Sequence, residues 1–194
     1  MFCVLSLIEK PLYKREVLSN SYGPYAYATS FLATESVIVI VLMISFSCVI
    51  YVLAGLRSNH YGIVLIVVML VSSAATSFFS FLTTITSSSS MCNDIIAPVY
   101  VWNAMYAGYL IFIPNLSVVC NWVPYIAAFR YALQGLVLNE FQDNDELPSG
   151  QYYIEMMGYD TISVQACVGI LLAVYVLCTV LYFISLKYFD NCYR

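Results

Sequence analysis

Long apolar runs without a charged side chain are the dominant pattern along this chain of 194 residues. Residues 36–56, 63–82 and 164–186 are three such runs, and a helix needs about 20 mostly apolar residues to cross a bilayer. The second run contains the small-residue patch SSAATS, which would allow close contact between helices. The pattern therefore predicts three membrane spans in an all-α, polytopic helical membrane protein.

A fourth apolar run, residues 95–113, is long enough to span but contains Pro98, Asn103 and Gly108. Proline and glycine are tolerated in membrane helices where neighbouring helices satisfy the backbone. We therefore expect a fourth span that lies inside a helix bundle, with Asn103 forming a hydrogen bond to a neighbouring helix.

Residues 117–141 are also apolar enough to enter a membrane, yet they include Pro124 and Arg130. A charge at the centre of a bilayer costs at least about 2.5–3.5 kcal/mol. A re-entrant pair of short helices would explain the proline and let Arg130 reach water or polar protein groups. A fifth full span is the alternative.

The distribution of charge favours four spans plus the re-entrant segment. Lys and Arg accumulate on the cytoplasmic side of a membrane, so Lys10, Lys14 and Arg15 place the N-terminal segment in the cytoplasm. Four spans return the C-terminus, with Lys187, to the same side. They also leave residues 142–163, which contain no Lys or Arg, as an exterior loop.

Composition excludes several classes of protein. The chain is 62% hydrophobic and 9% charged, whereas an average soluble domain is about 25% charged, so this protein resides in a membrane. It has no basic patch of the kind that nucleic acid would require. No cluster of Asp, His or Cys has the spacing of a metal site or of a catalytic nucleophile, so we expect neither.

Five charged side chains are concentrated in the eight-residue stretch EKPLYKRE, before the first long apolar run. Proline suits the first turn of a helix, and we expect a short cytoplasmic helix over residues 9–20. From the residues alone, a solvated anchor beside the membrane is the simpler interpretation. The five charged residues are Glu9, Lys10, Lys14, Arg15 and Glu16.

Two longer stretches resemble a known family. They are EKPLYKREVLSNSYGPYAYATSFLATE and GYLIFIPNLSVVCNWVPYIAAFRYALQGLVLNEF. Together they are similar to the membrane domain of G-subfamily (White and pleiotropic-drug-resistance type) ATP-binding-cassette transporters. The second stretch departs from the family where Ala127-Ala128-Phe129 replaces a Ser-Pro pair. Its matching residues are Gly108, Ile113, Pro114, Trp122, Arg130, Tyr131, Leu133, Asn139, Glu140 and Phe141.

The resemblance implies a role for each stretch. The 9–20 helix would be the coupling helix, contacting an ATPase domain through Glu9, Lys10, Lys14, Arg15 and Glu16. In the re-entrant motif, Glu140 would cap a helix or pair with Arg130, a simple surface acid being the alternative; the motif residues are Arg130, Tyr131, Asn139, Glu140 and Phe141.

A translocation path is implied as well, with Tyr109 and Leu110 at an apolar constriction. Plain helix packing is an equally simple explanation for the residues of this path. They are Val101, Ala104, Met105, Tyr109 and Leu110.

The resemblance also implies what this sequence lacks. It contains no G-x-x-x-x-G-K-[ST] phosphate loop, so we expect no ATP hydrolysis by this chain itself. ATP and Mg²⁺ would bind an ATPase domain that, with the first two membrane helices of the family, precedes this C-terminal part. The partners would be that domain, a second half-transporter and membrane lipids.

The implied function is export of lipids, sterols or hydrophobic small molecules across the plasma membrane or an endomembrane. The alternative is a non-transporting membrane protein, or a gene remnant, that at most associates with a full transporter.

Overall fold

The computed structural model describes residues 23–55, 61–86, 88–142 and 150–191, together with Leu12, Arg15, Glu16 and Ser19. The four continuous ranges contain helices and turns but no strand, which confirms the all-α prediction. The helices are α1 (Pro24–Ala54), α2 (Tyr61–Ile85), α3 (Ser89–Met105), α4 (Ala128–Phe141), α5 (Gly150–Met157) and α6 (Val164–Asn191). Three short 3₁₀ turns connect α3 to α4: Ile113–Asn115, Val118–Cys120 and Val123–Ile126.

Three helices in the described ranges are long and apolar enough to cross a membrane: Tyr25–Ala54, Tyr61–Ile85 and Val164–Tyr188. The second and third contain the runs 63–82 and 164–186, and the first contains residues 36–54 of the first run. The outer surface of α1 is apolar along most of its length, with Val37, Val41, Val52 and Leu53 all exposed. Such a surface requires lipid around it, which agrees with an integral membrane protein.

The helix α1 begins well before the predicted start at residue 36. Gly23 is in an extended conformation and Pro24 occupies the first helical turn, where its fixed φ angle favours a helix start. At the other end, Gly55 adopts a left-handed conformation with φ of 64° and donates its N–H to the carbonyl of Tyr51. Local backbone chemistry therefore sets both ends of this helix.

The predicted span at residues 95–113 is not one continuous helix. Ser88 caps the start of α3 by accepting a hydrogen bond from the amide of Met91 (3.3 Å), and the helix ends at Met105. Its 17 residues extend over about 26 Å, less than the roughly 30 Å of a hydrocarbon core. The helix cannot continue through Gly108, whose φ of 108° lies far from helical values.

The helix α2 lies at the centre of the described fold, packed along α6 and also against α1 and α4. Gly135 of α4 is close to both neighbours, because a Cβ atom at this position would lie 3.5 Å from Val67 and 3.6 Å from Cys167. A small residue therefore lets the three helices approach closely. The buried apolar residues of this junction are Val67, Tyr131, Ala132, Cys167 and Leu171.

Hydroxyl groups join α2 to α6. Thr179 donates a hydrogen bond to the hydroxyl oxygen of Ser77 (3.2 Å), and the hydroxyl groups of Thr84 and Ser185 also bond to each other. Ala74 and Ser77 of the predicted small-residue patch are buried in this contact. In lipid, close packing of small residues and bonds of this kind drive helix association.

The predicted exterior loop, residues 142–163, is partly helical. Its residues 143–149 lie outside the described ranges, and α5 follows them. Gly150 packs so tightly on the end of α4 that a Cβ atom there would lie 3.0 Å from the carbonyl oxygen of Phe141. A buried cluster joins α4 and α5 to the first 3₁₀ turn, through Ile113, Leu138, Ile154 and Tyr159.

Candidate functional site

The predicted coupling helix is described at only four of its positions. Leu12, Arg15 and Glu16 are helical, and the amide of Ser19 donates to the carbonyl of Arg15 (3.0 Å), as in a helical turn. The side chain of Arg15 is exposed. The other predicted contact residues, Glu9, Lys10 and Lys14, lie outside the described residues.

The five predicted path residues lie on α3 and on the segment that follows it. Val101, Ala104 and Met105 share one face of α3 because they are three and four residues apart. Val101 and Met105 are exposed, and so are Tyr109 and Leu110 beyond the helix end. The structure thus places an exposed apolar surface at these positions.

Within the described ranges, Asn103 does not form the interhelical hydrogen bond that we expected. Its side-chain amide donates to the carbonyl of Val99 in its own helix, at 3.0 Å. The bond stays within α3 because residues 99 and 103 are one helical turn apart, so the donor finds an acceptor without any neighbouring helix.

Tyr159 connects the segment after α3 to α4 through hydrogen bonds. Its side chain is fully buried, and its hydroxyl group donates a hydrogen bond to the carbonyl of Ala107. Its own backbone carbonyl accepts a hydrogen bond from the side-chain amide of Gln134 on α4 (2.9 Å), which also donates to the carbonyl of Ile162 (3.3 Å). Neither Tyr159 nor Gln134 was predicted as a site residue, because nothing in the local sequence indicates a contact with residues so distant along the chain.

Burial also changes the acidity of Tyr159, which lies between α5 and α6 and outside the spans. Loss of hydration raises the pKa of its phenol from 10.0 to about 12, and the positive charge of Arg130 opposes part of that rise. The phenol is therefore a neutral hydrogen-bond donor at every physiological pH.

Arg130 does not reach water, which was one of the two environments predicted for it; polar protein groups were the other. Only 1% of its surface is exposed, and its Nε and Nη1 atoms have no hydrogen-bond partner in the described part of the chain. The guanidinium carbon lies 4.2 Å from the centre of the Tyr125 ring. Tyr125 is held in turn, because the hydroxyl of Tyr131 donates to its carbonyl (2.8 Å).

Glu140 cannot pair with Arg130, which was one of its predicted roles. Both residues belong to α4 and are ten positions apart, about 15 Å along the helix axis, which exceeds the combined reach of the two side chains. Asn139 is buried, and the Phe141 ring lies 6.1 Å from the Tyr153 ring. The end of this motif therefore packs α4 against α5.

This chain is similar in sequence to a known family of membrane proteins. Residues 2–141 match the family model described as ABC-2 type transporter. The chain is 30% identical over 137 residues to protein white of Ceratitis capitata, and 25% identical over 137 residues to protein white of Drosophila melanogaster. Each alignment covers 70% of this chain and 20% of the relative, so the chain spans about a fifth of the length of these curated relatives.

The matched region includes both stretches that carried the resemblance, the one around EKPLYKRE and the one from Gly108 to Phe141. It also includes α1, α2, α3 and α4. The match therefore extends well beyond short motifs. This chain belongs to the ABC-2 type transporter family.

Proposed function

We propose that this chain forms part of the membrane domain of an ATP-driven exporter of lipids, sterols or hydrophobic small molecules. The observation that carries the proposal is the family match over residues 2–141, which includes the predicted coupling helix and the α3–α4 region together. An ATP-binding-cassette ATPase domain outside these residues hydrolyses ATP, with Mg²⁺, and drives the transport. The chain itself is not an ATPase.

The exposed apolar surface of α3 supports a path for hydrophobic substrates. None of its five residues carries a charge, and Leu110 is 58% exposed although it follows a helix that packs on other helices. A second half-transporter, identical or different, faces this surface and closes the path. Tyr109 and Leu110 form the constriction, and Tyr159 holds the segment that carries them.

The coupling helix lies in the cytoplasm with both chain termini. Its charged side chains suit a polar surface between domains, which must form and break in each cycle of ATP hydrolysis. Arg15 is exposed and helical, as such a contact requires.

Charge reversal tests this assignment. In the transporter reconstituted with its ATPase domain, Arg15→Glu and Glu16→Lys should keep basal ATP hydrolysis and lower transport per ATP by roughly fivefold or more, the lower end of coupling between sites. Glu155→Lys is the matched control, since Glu155 is an exposed acid on α5, far from the coupling helix in the proposed topology. Unchanged transport per ATP in both coupling variants would contradict the proposal.

A further inference from the structure

Arg130 is a buried cation without an anionic partner among the residues that the structure describes. Its side chain is 1% exposed, and Nε and Nη1 are buried without an acceptor. Asp160 follows Tyr159, which lies near Arg130, but Asp160 is exposed and forms no ion pair with it in the described ranges. A buried charge is costly unless it is paired and hydrogen-bonded.

The contacts that Arg130 does make are too weak to compensate for its burial. The cation–π contact with Tyr125 stabilises a guanidinium by less than its desolvation costs. Gln134 lies one turn further along α4, and its Oε1 atom is also buried without a partner. This neutral oxygen can attract a donor but cannot neutralise a charge, so Arg130 requires another partner.

The N-terminus of α4 adds a partial positive charge close to the guanidinium of Arg130. Ala127 precedes the helix and provides no side-chain cap, and the first turn contains no acidic residue. The amide of Arg130 already donates to the carbonyl of Ala127 (3.2 Å). The amides of Ala128 and Phe129 precede it at the helix start, where N–H groups lack partners within the helix and carry a partial positive charge. Because helical side chains lean towards the N-terminus, Arg130 extends towards this end, as its position over Tyr125 shows.

We propose that Arg130 and the N-terminus of α4 bind the phosphate group of an anionic phospholipid. Phosphate oxygens accept hydrogen bonds from a guanidinium and from helix N–H groups, and their negative charge compensates both positive features. This binding leaves the hydrogen bonds of Gln134 unchanged, because its amide remains bonded to the carbonyls of Tyr159 and Ile162.

The exposed surface of the turns that precede α4 favours a lipid as the source of the phosphate. In the turns that precede α4, Val119 is 78% exposed, Trp122 is 62% exposed and Tyr125 is 46% exposed. Exposed aromatic side chains are typical of the interface between membrane and water. The half-exposed ring of Tyr125 lies against the guanidinium, so the proposed binding requires this ring to change its rotamer and admit the headgroup.

Thermal unfolding in neutral detergent tests the proposal. Phosphatidylglycerol at 100 times its Kd should raise the Tm of the wild-type protein by roughly 5–10 °C, while phosphatidylcholine should not. The same Tm measurement with inorganic phosphate in place of the lipid tests whether a free anion binds equally well. A rise in Tm with inorganic phosphate equal to that with phosphatidylglycerol would assign the site to a free anion and overturn the lipid as its ligand.

The variant Arg130→Met removes the charge and keeps much of the side-chain length. It should abolish the rise caused by phosphatidylglycerol, and without lipid its Tm should equal or exceed that of the wild type, because an uncompensated charge has been removed. Lys187→Met removes an exposed cation at the end of α6 and should keep the full rise.

A different pattern would overturn the proposal. If phosphatidylglycerol leaves the wild-type Tm unchanged and Arg130→Met lowers the Tm in every lipid, the guanidinium is satisfied by buried water bridging to Gln134. If Arg130→Met does not fold, native mass spectrometry can compare the lipids that stay bound to the wild type and to Arg130→Lys. The wild type should retain phosphatidylglycerol in preference to phosphatidylcholine, and the absence of this preference would contradict the proposal. Neither readout depends on transport or ATP hydrolysis, so failure here is distinct from failure of the proposed function.

Discussion

The ring of Tyr159 occupies the space that a side chain at position 108 would need. A Cβ atom on Gly108 would lie 2.9 Å from two carbon atoms of that ring, and the hydroxyl group of the ring bonds to the neighbouring carbonyl of Ala107. The backbone of Tyr159 is itself held by Gln134. One residue from the segment after α5 therefore fixes where α3 ends and how the chain leaves it.

Gly108→Ala should be strongly destabilising. An alanine at φ of 108° is strained, and its methyl group would collide with the Tyr159 ring, so we expect a loss of about 2–4 kcal/mol in the free energy of unfolding. The measurement is the Tm in detergent. Gly169→Ala is the control, since Gly169 is exposed on α6 with open space around it and alanine there should stabilise by up to about 1 kcal/mol. Equal Tm values for the two variants would refute the tight contact.

Tyr159→Phe keeps the ring and removes only its hydroxyl group. The carbonyl of Ala107 then loses its buried donor, which should cost about 1–3 kcal/mol in the free energy of unfolding. Denaturant unfolding of the purified protein measures this loss. Tyr152→Phe removes an exposed hydroxyl and should change the stability by less than about 0.5 kcal/mol. A Tyr159→Phe variant as stable as this control would show that the bond contributes nothing.

The raised pKa of Tyr159 predicts a loss of stability in alkali. Below pH 10 the phenol is neutral in both the folded and the unfolded chain, so its contribution does not depend on pH. Between pH 10 and about 12 the unfolded chain releases this proton while the folded chain keeps it, and the stability falls by up to about 3 kcal/mol.

Other tyrosines and lysines titrate in the same range, so the difference between the wild type and Tyr159→Phe isolates this one group. The stability advantage of the wild type over the variant should shrink as the pH rises from 9.5 to 11.5, since only the wild type carries the buried phenol. The measurement is the unfolding midpoint of both proteins across that range. A constant difference would mean that the pKa of Tyr159 is not raised.

Ser77→Leu should separate α2 from α6. Ser77 is buried where Thr179 donates to its hydroxyl, and the larger side chain should cost about 1–3 kcal/mol through overpacking, in addition to the lost hydrogen bond. Ser45→Leu makes the same change on the exposed surface of α1 and should be tolerated. The yield and Tm of the monodisperse protein in detergent report the effect, and similar losses for both variants would argue against this contact.

Much of the fold was predictable from composition alone. The runs 63–82 and 164–186 and most of the run 36–56 lie in Tyr61–Ile85, Val164–Tyr188 and Tyr25–Ala54, three helices that are long and apolar enough to cross a membrane. The small-residue patch of α2 was expected to allow close helix contact, and its Ala74 and Ser77 are buried. The resemblance drawn from two motifs was confirmed at the level of the family by the match over residues 2–141. The roles of the individual site residues remain predictions.

The sites were predicted less well because they depend on neighbours distant in the chain. Arg130 was expected to reach water or polar protein groups, and it is buried with its guanidinium against the ring of Tyr125. Asn103 was expected to bond to another helix, and it bonds within its own. In both cases a polar or charged residue in an apolar run correctly indicated a special environment. The group that the residue contacts could not be predicted, because it depends on how α3 and the turns before α4 are arranged.

The sequence by itself determined the three helices that are long and apolar enough to cross a membrane, because a bilayer requires long charge-free helices that satisfy their own backbone hydrogen bonds. Local signals such as Gly23-Pro24 and Gly55 also set the ends of α1. Only the tertiary structure decided that α3 stops at Met105, since the bond between Ala107 and Tyr159 joins residues 52 positions apart. It likewise decided the environment of Arg130, because burial and missing partners are properties of packed helices and not of a local run of residues.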